Sequence, residues 1–416
     1  MNTAVTTTAD RSALPQGAPA AATTTLALLR RLTHGQLTVQ FPDGSVQRFG
    51  GQPGPVAAMR LHNWNVCAAA LKSGDIGLAE CYVAGDWTTP QLTDLLRLFL
   101  ANRQAMEDVI YGSWWGRLAY RLRHLLNRNT RSNSQKNIHA HYDLGNGFYR
   151  LWLDPTMNYS SAWFEKPGMD LSQAQHAKVD RALRMAGVQP GHRVLEIGCG
   201  WGALAESATT RFGAQVVGVT LSTEQLDWAR ERMARLGVTD RSDLRLQDYR
   251  DIGVTTPDGP FDAICSIEML EAVGQAYWPT YFKAVERLLK PGGKACIQTI
   301  VIDDGLFNRY IRGTDFIQQY IFPGGCLPSP RRFREEAQAA GLSVVDSFAF
   351  GRDYAETLRQ WRDRFMAQQE SVLEQGFDQR FLRIWEFYLA YCEAGFDHGS
   401  IDVVQFTLQK PAQGAV

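Results

Sequence analysis

The segment "RVLEIGCGWGALA" constrains this chain more than any other. A mostly apolar run stops at Gly198-Cys199-Gly200-Trp201-Gly202 and passes at once into a helix-forming stretch. Glycines placed so let the backbone turn tightly and approach a ligand closely. Three more apolar bursts follow: "QVVGVTL", "FDAICSI" and "KACIQTI". Amphipathic runs such as "STEQLDWARERMARLG" and "YWPTYFKAVERLLK" separate them. Buried strands alternating with helices predict a doubly wound α/β sheet with its ligand crevice beyond the strand ends. The spacing G-x-G-x-G is not the G-x-G-x-x-G of dinucleotide folds. The plainer alternative for such a turn is a tight strand–helix connection.

Three features add to it. "GVTLSTEQ" ends the second strand and offers Thr220, Ser222 and Gln225 to ribose hydroxyls. "LQDYRD" follows a third strand and offers Asp248 and Tyr249 to an adenine amine and ring face. "LLKPGG" forms a helix–turn before the "KACIQTI" strand. Their order is similar to that of class I S-adenosylmethionine methyltransferases, which implies that Gly198, Gly200 and Gly202 cradle that cofactor.

At 416 residues the chain is long for one domain. Residues 1–25, rich in Ala and Thr, predict a disordered tail. Residues 26–112 carry a helix-like "LALLRRL" and a strand–turn–strand signal in "QLTVQFPDGSVQRFG". They predict a small α+β domain without a chemical motif. Residues 113–137 hold Arg117, Arg121, Arg123, Arg128, Arg131 and Lys136 with no acid, interleaved with Trp114, Trp115 and leucines. That pattern suits a membrane-surface helix, and equally an interdomain linker with a solvated basic face. Residues 138–416 form the methyltransferase domain. Basic and acidic residues balance at 43 each, so net charge names no partner, and nucleic acid is not expected. The seven cysteines lack metal-ligand spacing and read as reduced thiols of a cytoplasmic protein. No apolar run approaches the ~18 residues of a membrane span, and no metal site is expected.

From Ile138 to Phe406 the chain resembles the cyclopropane-fatty-acyl-phospholipid synthase family. The resemblance rests on "HAHYDLGNGFYRLWLDPTMNYSSAWF", "VLEIGCGWG", "EMLEAVG" and "YIFPGGCLPS". It implies a lipid-associating N-terminal domain, frequent homodimers, and work on an unsaturated acyl chain at the phospholipid surface of the inner face of the membrane. The expected reaction moves a carbon from S-adenosylmethionine to a double bond, giving a cyclopropane. Such chemistry makes a carbocation, so water must be excluded and a proton removed. The resemblance implies bicarbonate as the base, held by Ser161, Glu271, Gln298, Ile300 and Tyr320. Tyr159 and Ser160 would touch the methionine end of the cofactor. Cys392 matches a family cysteine, for which packing is the plainer role, and His141 reads as a structural hydrogen-bonder.

Two anion positions depart from the family: Ser161 stands where cysteine is usual, and Gln298 where histidine is. Ala272 also replaces the histidine of a common "FEH". A glutamine amide can hydrogen-bond an anion but cannot carry charge toward it. Weaker anion binding would favour a methyl- or methylene-branched product. Glu271 as a cap, Tyr320 as a core aromatic and Gln298 as a strand-satisfying amide are the plain structural alternatives. At the level of function, the alternatives are a small-molecule N-methyltransferase and a non-enzymatic lipid-binding protein.

Overall fold

The computed structural model describes residues 15–104, 144–253 and 258–412. The basic segment 113–137 and His141 lie outside the described residues, as does most of the expected tail.

The N-terminal domain begins earlier than its sequence suggests. Helix α1 spans Ala20–Leu29 and buries Ala22, Leu26, Leu28 and Leu29, so residues 20–25 belong to the domain and not to a tail. Strands β1 (His34–Gln40) and β2 (Val46–Gly50) form the expected hairpin. Strand β3 (Gln52–Leu61) then pairs parallel to β1, and the short β4 (Trp87–Thr88) pairs antiparallel to β3. Alternate burial of Leu37, Val39 and Phe41 turns one face of this four-stranded sheet toward α1, α2 (Asn65–Ser73), α3 (Asp75–Ala84) and α4 (Leu92–Ala101).

The second domain is a seven-stranded sheet in the order β10-β11-β9-β8-β5-β6-β7. Strands β5 (Arg193–Ile197), β6 (Gln215–Thr220), β7 (Ser242–Leu246), β8 (Phe261–Ile267) and β9 (Leu289–Ile302) run parallel. Their near-continuous apolar runs follow from burial on both faces. Strand β11 (Ile401–Gln409) inserts antiparallel between β9 and β10 (Ser343–Ala349). Helix α5 (Leu171–Met185) leads into β5, and α6 (Ala203–Thr210), α7 (Thr223–Arg235) and α8 (Trp278–Leu288) connect β5 to β6, β6 to β7 and β8 to β9. The chain leaves β5 toward β6 on one side and β8 on the other, so the crevice opens beyond β5.

Helices α9 (Gly351–Ala367) and α10 (Gln379–His398) join the two domains. One hydrophobic cluster runs from Ala22 through α4 to Trp361, Phe387 and Val403. Polar links cross the same boundary. Tyr82 donates to Glu386 at 2.7 Å, Tyr391 donates to Asp75 at 2.7 Å, and Arg97 pairs with Glu393 at 3.0 Å. Among the described residues no helix is long and apolar enough to cross a membrane, and all seven cysteines are free.

Candidate active site

Two cavities meet inside the second domain. The smaller, about 170 Å³, lies beyond β5 and is lined by Glu196, Gly198, Gly200, Thr220, Gln225 and Asp248 among others. Gly198 and Gly200 both have positive φ, at 87° and 49°. A Cβ on Gly198 would meet Met269 Cγ at 3.0 Å, whereas Gly200 faces open space. Thr220 donates to Gln225 at 3.0 Å, which orients the amide at the pocket edge. Glu196 Oε2 is buried here without a partner, and burial holds its carboxyl well above the usual range. A glycine cradle, a polar rim and an orphaned acid fit a nucleoside-bearing cofactor.

Not every residue read from the glycine turn reaches this pocket. Gly202 is outside its lining; it starts α6 with φ 82°, and a Cβ there would meet Ala229 at 3.0 Å. Ser222 is also outside and fully buried, where its hydroxyl caps α7 by accepting from Gln225 N at 3.3 Å. Neither borders the pocket, and each has a structural task at the start of its helix. Asp248 lines the pocket but is held by Arg250, whose Nε donates at 2.8 Å. Tyr249 lines it too, with its ring packed edge-on to Tyr281 at 5.6 Å. Ser160 accepts from the buried Lys178 ammonium at 2.5 Å.

The larger cavity, about 950 Å³, lies between the domains. Leu26, Val39, Phe41 and Met59 form one wall, and Ile300, Tyr354, Tyr388 and Cys392 another. The N-terminal domain, which the sequence showed without chemistry, thus builds more than a third of this chamber's lining. Tyr159, Glu268 and Ala272 line both cavities, so this is where they join. Tyr159 shares a 2.8 Å hydrogen bond with the Tyr388 hydroxyl.

Glu268 is the centre of the junction, and sequence reasoning missed it. It is a non-glycine residue with φ 49°, an uncommon and strained backbone state. Its Oε1 accepts from Ser161 N at 2.9 Å and from Gln298 Nε2 at 2.7 Å. Its Oε2 accepts from the Tyr354 hydroxyl at 2.6 Å. The Gln298 amide has only one workable orientation. Arg181 donates to Gln405 Oε1 at 2.7 Å, so Gln405 turns its NH2 to Gln298 Oε1 at 3.0 Å. Gln298 must then present its own NH2 to Glu268. The signal was available: an acid at the carboxyl end of a buried strand, three residues before Glu271 in "EMLEAVG".

The expected anion-binding set is therefore rearranged. Ser161 contributes its backbone N–H, while its hydroxyl donates to the Ala162 carbonyl at 2.9 Å. Ile300 N donates to Glu271 Oε1, and Glu271 Oε2 is buried without a partner. Tyr320 is not at the junction: its hydroxyl points to Glu80 at 2.5 Å and it lines neither cavity. Tyr354, from "GRDYAETL", supplies the hydroxyl expected of it. Cys392 faces the large cavity, and burial raises its thiol far above the reactive range, as packing requires.

Charge at the junction is shared. Burial and the neighbouring Glu268 push Glu271 up to about 8, so it is protonated at neutral pH. Burial also raises Glu268, but Lys178 and the three donors oppose it, so the negative charge of the pair sits on Glu268. Burial lowers Lys178 to about 8.

Comparison with known proteins bears on the fold and the family. Residues 129–406 match the family described as mycolic acid cyclopropane synthetase. The chain is 39% identical to the tuberculostearic acid methyltransferase of Mycobacterium tuberculosis, covering 95% of this chain and 93% of that one. It is 34% identical to the cyclopropane-fatty-acyl-phospholipid synthase of Escherichia coli, over 86% and 90%. A crystal structure of a mycolic acid cyclopropane synthase complexed with SAH and CTAB superposes with a TM-score of 0.61 at 34% identity, over 66% of this chain and 98% of that one.

Proposed function

Because the chain belongs to the mycolic acid cyclopropane synthetase family and is an S-adenosylmethionine-dependent methyltransferase that modifies lipid, we propose that it alkylates the double bond of an unsaturated fatty acyl chain within a membrane phospholipid. The observation that carries this reading is the junction itself: a glycine-cradled pocket opening onto a 950 Å³ apolar, aromatic-walled chamber.

Bound S-adenosylmethionine supplies an electrophilic methyl group. The chain's own residues do the rest. Gly198, Gly200, Thr220 and Gln225, which line the smaller pocket, would hold the nucleoside end, and Tyr159 and Ser160 would flank the reacting end. The apolar walls hold the alkene and exclude water, and orientation of this kind can contribute roughly 7–11 kcal/mol. Tyr159, Tyr354 and Tyr388 border the space where the acyl carbocation would form, and a ring face turned to it adds about 0.5–2 kcal/mol. Arg103, Arg309 and Arg312 border the same chamber, and Arg312 is exposed; these cations suit an anionic headgroup at the membrane surface.

Ring closure to a cyclopropane is the first product reading, because it needs only a base beside the new methyl group. The methyl- or methylene-branched product is the second. Gln298 in place of histidine favours it, as does the 39% identity, over nearly the whole chain, to a protein named as a tuberculostearic acid methyltransferase.

Purified protein, vesicles of unsaturated phospholipid and S-adenosylmethionine test the proposal. Fatty acids released afterwards should each have gained one CH2 by mass. Upfield cyclopropane protons mark the ring, and olefinic =CH2 protons mark the branch. Unchanged lipid, with methylation of soluble amines instead, would sink the lipid assignment.

A further inference from the structure

The reaction proposed above requires a proton acceptor at the point where cofactor pocket and acyl chamber meet, and this inference rests on that reading. Among the described residues, the carboxylate that lines both is Glu268. We propose that Glu268 is the catalytic proton acceptor, a base carried by the chain itself in place of a bound external anion.

Four observations support it. Ser161 N, Gln298 Nε2 and the Tyr354 hydroxyl converge on this one carboxylate, the donor set that would otherwise clasp a small planar anion. A bicarbonate ion would find those donors already engaged. Among the described residues Oε2 receives a single hydrogen bond, so a lone pair remains on the oxygen for a proton. The strained φ of 49° holds the side chain where a relaxed backbone would not. The Arg181–Gln405–Gln298 relay fixes the amide as donor, so the carboxylate is stabilised in its charged, basic form.

The step balances. The alkene π pair forms the new carbon–carbon bond as the S–CH3 bond breaks, its electrons remaining on sulfur. The other alkene carbon becomes cationic. A C–H bond of the new methyl group breaks, and its proton passes to Glu268 Oε2. The electron pair released closes a three-membered ring directly. If a hydride has first moved to the cationic carbon from its methyl-bearing neighbour, the same pair makes a C=CH2 branch instead. Glu268 returns its proton to solvent when product leaves. One base therefore serves both ring closure and the methylene branch.

The test compares Glu268→Gln and Glu268→Gly with wild type in CO2-free buffer, using unsaturated phospholipid vesicles. General-base loss lowers turnover by about 10²–10⁴-fold, so both variants should fall by at least a hundredfold. Calorimetry should show S-adenosylhomocysteine binding within about threefold of wild type, a readout independent of turnover. Glycine suits the positive φ, so Glu268→Gly keeps the fold if Gln does not. In the glycine variant, added formate or bicarbonate should restore turnover saturably, while wild type responds to neither. The idea is overturned if wild type loses activity when bicarbonate is removed. It is equally overturned if either variant keeps more than a tenth of wild-type turnover, or if small carboxylates fail to restore a glycine variant that binds S-adenosylhomocysteine normally. Wild type that leaves every lipid unchanged instead refutes the function proposed above.

Discussion

The two cavities that share Glu268 are built in opposite ways. The cofactor pocket comes from short turns at the ends of adjacent strands: Gly198–Gly200, Thr220, Asp248 and Ile267. Each turn is local, and the sheet order alone brings them together. The larger chamber, proposed to hold the acyl chain, draws on Leu26 and Ile401 at nearly opposite ends of the chain, and on both domains. A ligand pocket at a sheet crevice follows from the fold class. A chamber between domains exists only after two independently patterned units have docked.

That contrast predicts separable failures, beginning with the largest. Gly198→Val should abolish cofactor binding. The new side chain meets Met269 and must hold a φ of 87°, penalties of about 1–3 kcal/mol each. Calorimetry should show S-adenosylhomocysteine affinity at least about a hundredfold weaker, a loss of about 2.7 kcal/mol. Met59→Trp should do the reverse. Met59 lies on β3, remote in sequence from the cofactor turns, and faces the acyl chamber. Filling that space should lower lipid turnover about tenfold or more, since small misplacements of a reacting chain are costly. Cofactor affinity should stay within about twofold. A Met59→Trp enzyme with full turnover on long-chain phospholipid would show that the chamber wall in the N-terminal domain does not hold the substrate.

The same contrast explains what the sequence made legible. The four strands read from apolar bursts are present, because a buried parallel strand leaves an unmistakable run. Gly198, Gly200, Thr220 and Gln225 were found for the same local reason. Gly202 and Ser222 sat in the right motif, but a helix start and an N-cap explain them without a ligand. Tyr320 and Tyr354 could not be told apart locally. Each is a helical tyrosine soon after an aspartate, Tyr320 closing the helix Phe316–Tyr320 and Tyr354 in the first turn of α9, and only tertiary packing turns one to Glu80 and the other to Glu268. Strands β10 and β11 went unread, as pairing of the last strand between β9 and β10 is a long-range event. Glu268 and Glu271 share one motif, and only the long-range donors Ser161, Gln298 and Tyr354 single out Glu268.

Glu271 sharpens the comparison at the junction. Its carboxyl is raised from 4.5 to about 8 by burial first and by Glu268 second. In the folded chain it therefore keeps its proton where the unfolded chain has lost it. The sign follows: the folded state binds more protons between about 4.5 and about 8, so this group's contribution falls as pH rises through that window. The slope is at most about 1.4 kcal/mol per pH unit. Glu271→Gln mimics the protonated form at every pH. Urea denaturation from pH 5 to pH 8 should show the variant gaining on wild type steadily, and parallel curves would refute the protonated assignment. Turnover should drop about tenfold, with cofactor affinity within about threefold, because Glu271 faces the acyl chamber and does not line the cofactor pocket.

The smallest effect is expected where motif and pocket part company. Ser222 lies in "GVTLSTEQ" beside two genuine pocket residues, yet its hydroxyl caps α7 and is fully buried. Ser222→Ala should lower unfolding free energy by about 1 kcal/mol, the usual loss for a missing N-cap. S-adenosylhomocysteine affinity should change by less than about twofold, since the Thr220–Gln225 bond that shapes the pocket edge does not involve the serine. A tenfold weaker affinity with unchanged stability would place Ser222 among the ligand contacts after all. It would also mean that the local cofactor motif is read more literally by the fold than the lining of the pocket indicates.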